Sequence, residues 1–513
     1  VSGYLRRLAT TGAAYTAASI LSKVIAVALL PLYTRHLRPA DYGVAEVMFA
    51  AVVSISIVVR LGLIEALLRF YYREGEDRDR VVASSFAGIF WLATLGSLVA
   101  LALAGPISEA LLDEPAADLA RISAGGLWAL TLFEFMLTLF RLEERARAFF
   151  VTTVLNVVAT ILLTVVLVVI AEEGARGLLL ASYAGGAATV LVLIAMQWRR
   201  LSLRPDLPQL RSLLRFGLPT MPAEASLYLL NFVDRLIILR SVGAGAAGLY
   251  SLAVKFAQAV NVLVRGFQLA WPPLAYSIRE DGEARRVYAA VVTLFVAACA
   301  FVVTGMWLFS RWIVRALAAP EFFGSYKAIG LISAAVTLYA LYMVMVVILG
   351  RTGRTEFNFP AAIGALASNV VLNLILVPPW GIVGAGVALL ASYLVVVALM
   401  YGFTQRLFPV PYQWGRLTRV VLASAVLVGF AELAVPTAGL GGFLIRAALL
   451  AAYPLALLAG GFFTSGERAW LARLRHPGTV LAGIAALRAQ PAAVEGDVSE
   501  VYEAERMDED ARF

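Results

Sequence analysis

Long apolar runs alternate with short charged connections along almost all of the 513-residue chain. A membrane-crossing helix needs about 20 predominantly apolar residues. By that measure the runs predict fourteen spans, at 12–34, 43–70, 81–104, 119–140, 149–171, 177–197, 214–239, 247–275, 287–310, 327–349, 360–379, 382–402, 418–436 and 442–463. Charged or polar residues interrupt four of them: 12–34, 43–70, 214–239 and 247–275. Beyond 465 the pattern fades. A basic stretch near 467–489 is expected to lie along the membrane face as an amphipathic helix, and the acid-rich 491–513 to be a disordered tail.

Composition agrees. Hydrophobic types make up 61% and charged types 15%, against roughly 25% charged in soluble domains. Mean hydropathy is +0.84. These values exclude a soluble enzyme, a disordered chain and a disulfide scaffold, and give an all-α polytopic membrane protein. A lone cysteine, Cys299, permits neither an intrachain disulfide nor a cysteine metal cluster. His36 and His476 lie in charged stretches and read as exposed side chains, so no metal site is expected.

The net charge of +8 is not a nucleic-acid signal. Arginines crowd alternate connections, including 69–80, 141–147, 199–215, 279–286 and 468–475, while the other connections are sparsely basic. That bias predicts both termini in the cytoplasm and a plasma-membrane location. Arg6 and Arg7 precede the first apolar run without a cleavage pattern, so that run is expected to be retained.

The chain repeats itself. "REGEDRDR" at 73–80 aligns with "REDGEARR" at 279–286, and "GARGLLLASY" at 174–183 with "GAGVALLASY" at 384–393. Each repeat holds six spans, an even number, so the halves should be related by an axis along the membrane normal. The expected organisation is a six-helix bundle at 1–200, a second at 201–405, two further helices at 406–465 and a cytoplasmic tail at 466–513.

Charges inside spans are costly and persist when they face water or a partner. At about 1.5 Å per residue, Arg60 and Arg265 fall at similar depth in the second span of each half. With Lys23, Lys255 and Arg235 they are the candidate ligands of an anionic head group, because guanidinium forks onto phosphate oxygens and lysine adds a point charge. Lys255, Gln258, Asn261 and Arg265 share one helical face, a polar stripe expected to line a single cavity. Pro219 and Pro222 should break the seventh span beside Glu224. Glu224, Asp234, Glu65, Asn231 and Asn261 are the candidates for ion coupling or gating, with Glu134 a further carboxylate within a span. Asp234 and Arg235 can equally be balanced by neighbouring helices.

No catalytic constellation appears. "GRTGRTEF" at 350–357 lacks the lysine of a phosphate loop and follows no strand, so no ATP site and no cofactor are expected.

Three segments carry a family resemblance. "LSKVIAVALLPLYTRHLRPADYGVAEV" (21–47), "NFVDRLIILRSVGAGAAGLYSLAVKFAQ" (231–258) and "ASNVVLNLILVPPWGIVGAGVALLASY" (367–393) resemble bacterial polysaccharide-biosynthesis flippases of the multidrug/oligosaccharidyl-lipid/polysaccharide exporter superfamily. Asp234 and Arg235 match the family's D-R positions, and Lys255 falls where a lysine often follows. The resemblance implies two six-helix bundles around a V-shaped cavity. It implies transport of an undecaprenyl- or similar polyprenyl-pyrophosphate-linked oligosaccharide for O-antigen, capsule or exopolysaccharide synthesis. It further implies alternating access driven by a proton or sodium gradient, without enzymatic activity. Implied partners are the lipid-linked glycan, membrane lipids and a glycan polymerase or glycosyltransferases, with the transporter acting as a monomer. A lipid II flippase, a cation-coupled multidrug antiporter and a membrane glycan polymerase or transferase remain as alternatives.

Overall fold

The computed structural model describes residues 25–468, apart from 26, 74, 76, 113–115 and 466. Lys23, nearly all of 467–489 and the tail 491–513 lie outside the described residues. The first half is built from α1 (Leu30–His36), α2 (Pro39–Val59), α3 (Leu63–Phe70), α4 (Arg78–Ala102), α5 (Ala104–Leu112), α6 (Ala117–Leu142), α7 (Ala146–Thr164, extended by a π-helical turn over Val165–Ile170) and α8 (Gly174–Gln197). A connecting helix α9 (Leu207–Gly217) leads to α10 (Met221–Ser241), α11 (Ala244–Ala257), α12 (Val260–Ser277), α13 (Asp281–Leu317), α14 (Tyr326–Arg351) and α15 (Asn358–Leu407). The pair α16 (Trp414–Ala434) and α17 (Gly439–Ala459) follows.

Ten of the described helices are long and apolar enough to cross a membrane. The fourteen expected spans exceed that number for identifiable reasons. Most of 12–34 lies outside the described residues. α10 carries Glu224, Asp234, Arg235 and Arg240. The span expected at 247–275 is divided between α11 and α12, and α15 holds two expected spans in one helix. At Gly381 the backbone of α15 leaves helical geometry. Gly384 then lies against the backbone of Leu376, which a straight helix would hold about 12 Å away, so the chain turns back on itself there.

The other interrupted spans break where the sequence permits it. Leu61 and Gly62 both have positive φ, 49° and 70°, which ends α2 and restarts the chain as α3. Arg60 therefore caps α2, and the helix does not run on through it as the 43–70 run suggested. Pro219 and Pro222 flank the junction between α9 and α10, so the expected break occurs, but residues 214–217 belong to α9. Between α11 and α12 the amides of Ala259 and Asn261 bond to Phe256 and Gln258, three residues back, which tightens the turn.

Two backbone contacts fix the centre. α2 crosses α11 at Gly43 and Gly248, where a methyl group on either would collide with the other helix's backbone. These glycines are 205 residues apart, the separation also of Arg60 and Arg265. Gly62 meets Gly217 with equal closeness, backbone on backbone. Around these contacts lies an extended core drawn from both halves, including Tyr42, Met48, Tyr250, Phe256 and Val292. A second core, with Leu67, Phe86, Phe135 and Leu213, sets α9 against α3, α4 and α6. Asp206 caps α9; the backbone N–H of Gln209 and then Arg80 hold its carboxyl below the usual carboxylate range. The pair α16–α17 packs on α13 through Leu308, Ala431 and Val435 and is pinned there by charge. Arg446, fully buried, bonds Glu432 at 3.0 Å, and Arg311 grips the same carboxylate from α13 at 2.8 Å and 3.0 Å.

Candidate functional site

The sequence-predicted charges gather into three clusters and one open cavity. In the first cluster, Arg60 at the end of α2 is 6% exposed. It donates to Glu134 of α6 and, at 3.5 Å, to Glu224 of α10. The Gly62–Gly217 contact explains the second pairing. It brings the end of α9 to Arg60, and Glu224 lies in the first turn of the next helix. Glu65, on α3, is within hydrogen-bonding reach of Glu224. Two carboxylates thus pair with one guanidinium, and a third stands beside Glu224. Glu134 and Glu224 are about a third exposed, so they border open space.

The second cluster centres on Glu46, which the sequence analysis did not single out. Its carboxylate, 7% exposed, lies 3.0 Å from the Lys255 ammonium and 4.0 Å from Arg235. Arg235 is also tied inward, donating to the hydroxyl of Ser251 at 3.1 Å and to the carbonyl of Asn231 at 2.7 Å. Glu46 joins α2 to α10 and α11 across the Gly43–Gly248 crossing. Its presence in the same run as Arg60 was the available signal, since a carboxylate there needs a partner as much as an arginine does.

The third cluster surrounds Asp234, which is fully buried. It accepts from the Tyr250 hydroxyl at 2.7 Å and from the side-chain amides of Asn369 at 2.9 Å and Asn373 at 2.8 Å. The amide oxygens of both asparagines are buried without a hydrogen-bond partner. The motifs quoted from 231–258 and 367–393 therefore meet at one carboxylate, although the sequence offered no reason to connect them. Asn231, one turn from Asp234, is within hydrogen-bonding reach of Tyr393.

Arg265 differs from these. It is exposed, and among the described residues it has no ion pair. It lines a cavity of about 300 Å³ with Asn261, Gln268, Trp271 and Tyr339. Lys255 does not share this cavity; it borders a separate one of about 240 Å³ with Glu46, Tyr33 and Asn156. The predicted polar stripe is thus divided. The tight turn at Gln258–Ala259 rotates Lys255 away from Asn261 and Arg265. Tyr228, 46% exposed, lies within electrostatic reach of Arg60, Glu134 and Glu224 on one side and Arg265 on the other.

The expectation of a simply positive chamber needs correcting. Arg60, Lys255 and Arg235 all have carboxylate neighbours, because an unpaired charge in a low-dielectric surrounding costs several kcal/mol. Arg235 serves as an internal tie, not an open anion ligand. Among the described cations of the predicted set, Arg265 alone lacks a carboxylate partner.

A family profile described as "Polysaccharide biosynthesis protein" matches residues 9–278, more than half of the chain. The chain belongs to the polysaccharide biosynthesis protein family. No curated protein matches it. Its fold is that of solved membrane transporters. A structure described as the lipid II flippase MurJ in an inward closed conformation superposes with a TM-score of 0.69 at 12% identity, covering 88% of this chain and 98% of that one. An inward-facing multidrug resistance MATE family transporter of the MOP superfamily gives 0.62 at 14% identity, covering 78% and 95%. A MOP superfamily transporter from Pyrococcus furiosus, described as having a binding pocket of reversed polarity, gives 0.57 at 15% identity, covering 82% and 96%. These likenesses establish the polysaccharide family member as an all-α, polytopic membrane protein of transporter fold.

Proposed function

We propose that this family member is an ion-coupled flippase for a polyprenyl-pyrophosphate-linked oligosaccharide, working by alternating access as a monomer in the plasma membrane with both termini cytoplasmic. The fourteen spans then form two six-helix bundles, at 1–200 and 201–405, with an accessory pair at 406–465. Arg60 and Arg265 are equivalent positions of the two bundles. The carrying observation is their unequal state: Arg265 is open in an amide-lined cavity, while Arg60 is occupied by carboxylates from both bundles.

That inequality gives a loading mechanism. Arg265, with Asn261 and Gln268 beside it, takes the first phosphate. The second phosphate then displaces Glu134 and Glu224 from Arg60, because a phosphate offers the guanidinium fork the same paired oxygens. Glu224, displaced beside an anion and close to Glu65, takes up a proton. Binding that takes up protons strengthens as pH falls, so acidification favours loading and deprotonation favours release. Loading also removes the Arg60–Glu224 tie, which frees the bundles to rock. Asp234 offers a second coupling position. Rotating the amides of Asn369 and Asn373 would turn their oxygens toward the carboxylate, an all-oxygen set suited to sodium or a proton carrier. The glycan occupies the hydrated space, and a glycan polymerase or glycosyltransferases stand on either side of the step.

The test is transport of a fluorescent polyprenyl-pyrophosphate-linked glycan by protein reconstituted in vesicles. Arg265→Ala is expected to weaken binding about 10- to 100-fold, the value of a charge-assisted contact. Undiminished transport by folded Arg265→Ala would overturn the proposal. A cation antiporter is the second reading, favoured by the surplus of carboxylates around Arg60. It requires Arg265→Ala to be harmless and Glu134→Gln to abolish transport of a cationic dye. Lipid II is separated by supplying both lipids in competition.

A further inference from the structure

We propose that the exposed face of α9 is a docking surface for the anionic phospholipid headgroups of the leaflet in which it lies. The helix is short, 11 residues, and two-sided. Gln209, Leu213 and Gly217 form its buried side, against α3 and α4. The opposite side reads Leu207, Arg211, Arg215 and Leu218, all exposed, with Leu207 at 70% and Leu218 at 44%. Apolar and cationic side chains thus alternate along one strip. That is the pattern of a helix lying in the interface, with leucines in the acyl boundary and guanidiniums at phosphate level.

Charge complementarity names the occupant. Two neighbouring arginines are spoken for: Arg80 pairs with Asp206 and Arg200 with Asp79 and Glu143. Arg211 and Arg215 have no ion pair or hydrogen bond to any described residue. They stand on the open face of the helix, beside Leu207, Leu214 and Leu218. Arg69 extends the strip from α3, its guanidinium lying over the ring of Phe216 at 4.4 Å. Clustered cations without carboxylate partners, set between exposed leucines, fit an anionic bilayer surface. The contact has a mechanical consequence. α9 ends on Gly217, locked to Gly62, so a headgroup that holds α9 down also holds Glu224 beside Arg60.

The experiment uses the full chain in nanodiscs of phosphatidylcholine alone or of equal parts phosphatidylcholine and phosphatidylglycerol. Native mass spectrometry counts the lipid retained, and thermal unfolding is followed in parallel. The parent is expected to retain phosphatidylglycerol preferentially and to melt higher in its presence. Arg211→Gln/Arg215→Gln should lower that preference by roughly 10- to 30-fold while melting like the parent in phosphatidylcholine alone. Arg211→Lys/Arg215→Lys should keep it. Equal retention by parent and Gln variant overturns the proposal. Should the Gln variant fail to fold, salt decides: a preference in the parent that does not fall with ionic strength overturns it equally. Displacement of phosphatidylglycerol by a trace of polyprenyl pyrophosphate, in the parent only, would make the strip a carrier entry site and also overturn it.

Discussion

Glu46 holds together what Lys255 and Arg235 would otherwise leave as two uncompensated cations at the α2–α11 crossing. Glu46→Gln is therefore expected to destabilise the protein by about 1 to 3 kcal/mol, discounted from a fully buried pair because Lys255 is partly exposed. Thermal unfolding in detergent checks this, and adding Lys255→Gln should recover part of the loss. Glu224 is expected to act differently. Glu224→Gln keeps the hydrogen-bonding shape but gives up a charge that Arg60 holds, so glycan-lipid binding should strengthen at neutral pH and lose much of its rise on acidification. Binding measured across a pH series reads both effects. An unchanged pH profile would move coupling away from this residue and toward Asp234.

At the scale of elements, two devices decide where helices stop and what they touch. Gly62 combines positive φ with backbone contact to Gly217, so Gly62→Ala should cost both terms, about 2 to 4 kcal/mol together. Gly75 also has positive φ but nothing near its α-carbon, so Gly75→Ala should cost only the first, about 1 kcal/mol. Comparing their melting temperatures isolates the contact. Glu432→Gln should release the buried Arg446 and loosen α16–α17 from α13, at about 3 kcal/mol. Proteolysis at the 435–438 connection would follow that loosening.

The elements also mark how far a sequence can be read. Runs such as 81–104, 119–140 and 177–197 match their helices within a few residues, because apolar length alone dictates a span. The breaks at Arg60–Gly62 and Gln258–Ala259 could not be placed, because they depend on left-handed backbone and turn-tightening that hydropathy does not register. Proline did announce the break before α10. At the site, the charged residues were visible one by one, but their partners were not. Arg60 finds Glu134 and Glu224 only because α9 brings α10 to the end of α2. The asparagines of α15 meet Asp234 only because that helix packs along α10.

For the whole molecule, the Gly43–Gly248 crossing sets the terms of any movement between the halves. Side chains elsewhere could shear past one another, but here main chain rests on main chain, and little translation is open to it. Rotation is. Arg60 and Arg265 each follow their glycine by 17 residues, at most about 25 Å of rise, the path to Arg265 passing the turn between α11 and α12. A swing of about 15° about the crossing would carry each arginine by about 6 Å while Gly43 and Gly248 scarcely shift, provided that the Gly62–Gly217 contact opens. The smallest residues in the seam thereby become a fulcrum, and the two guanidiniums the far ends of its levers.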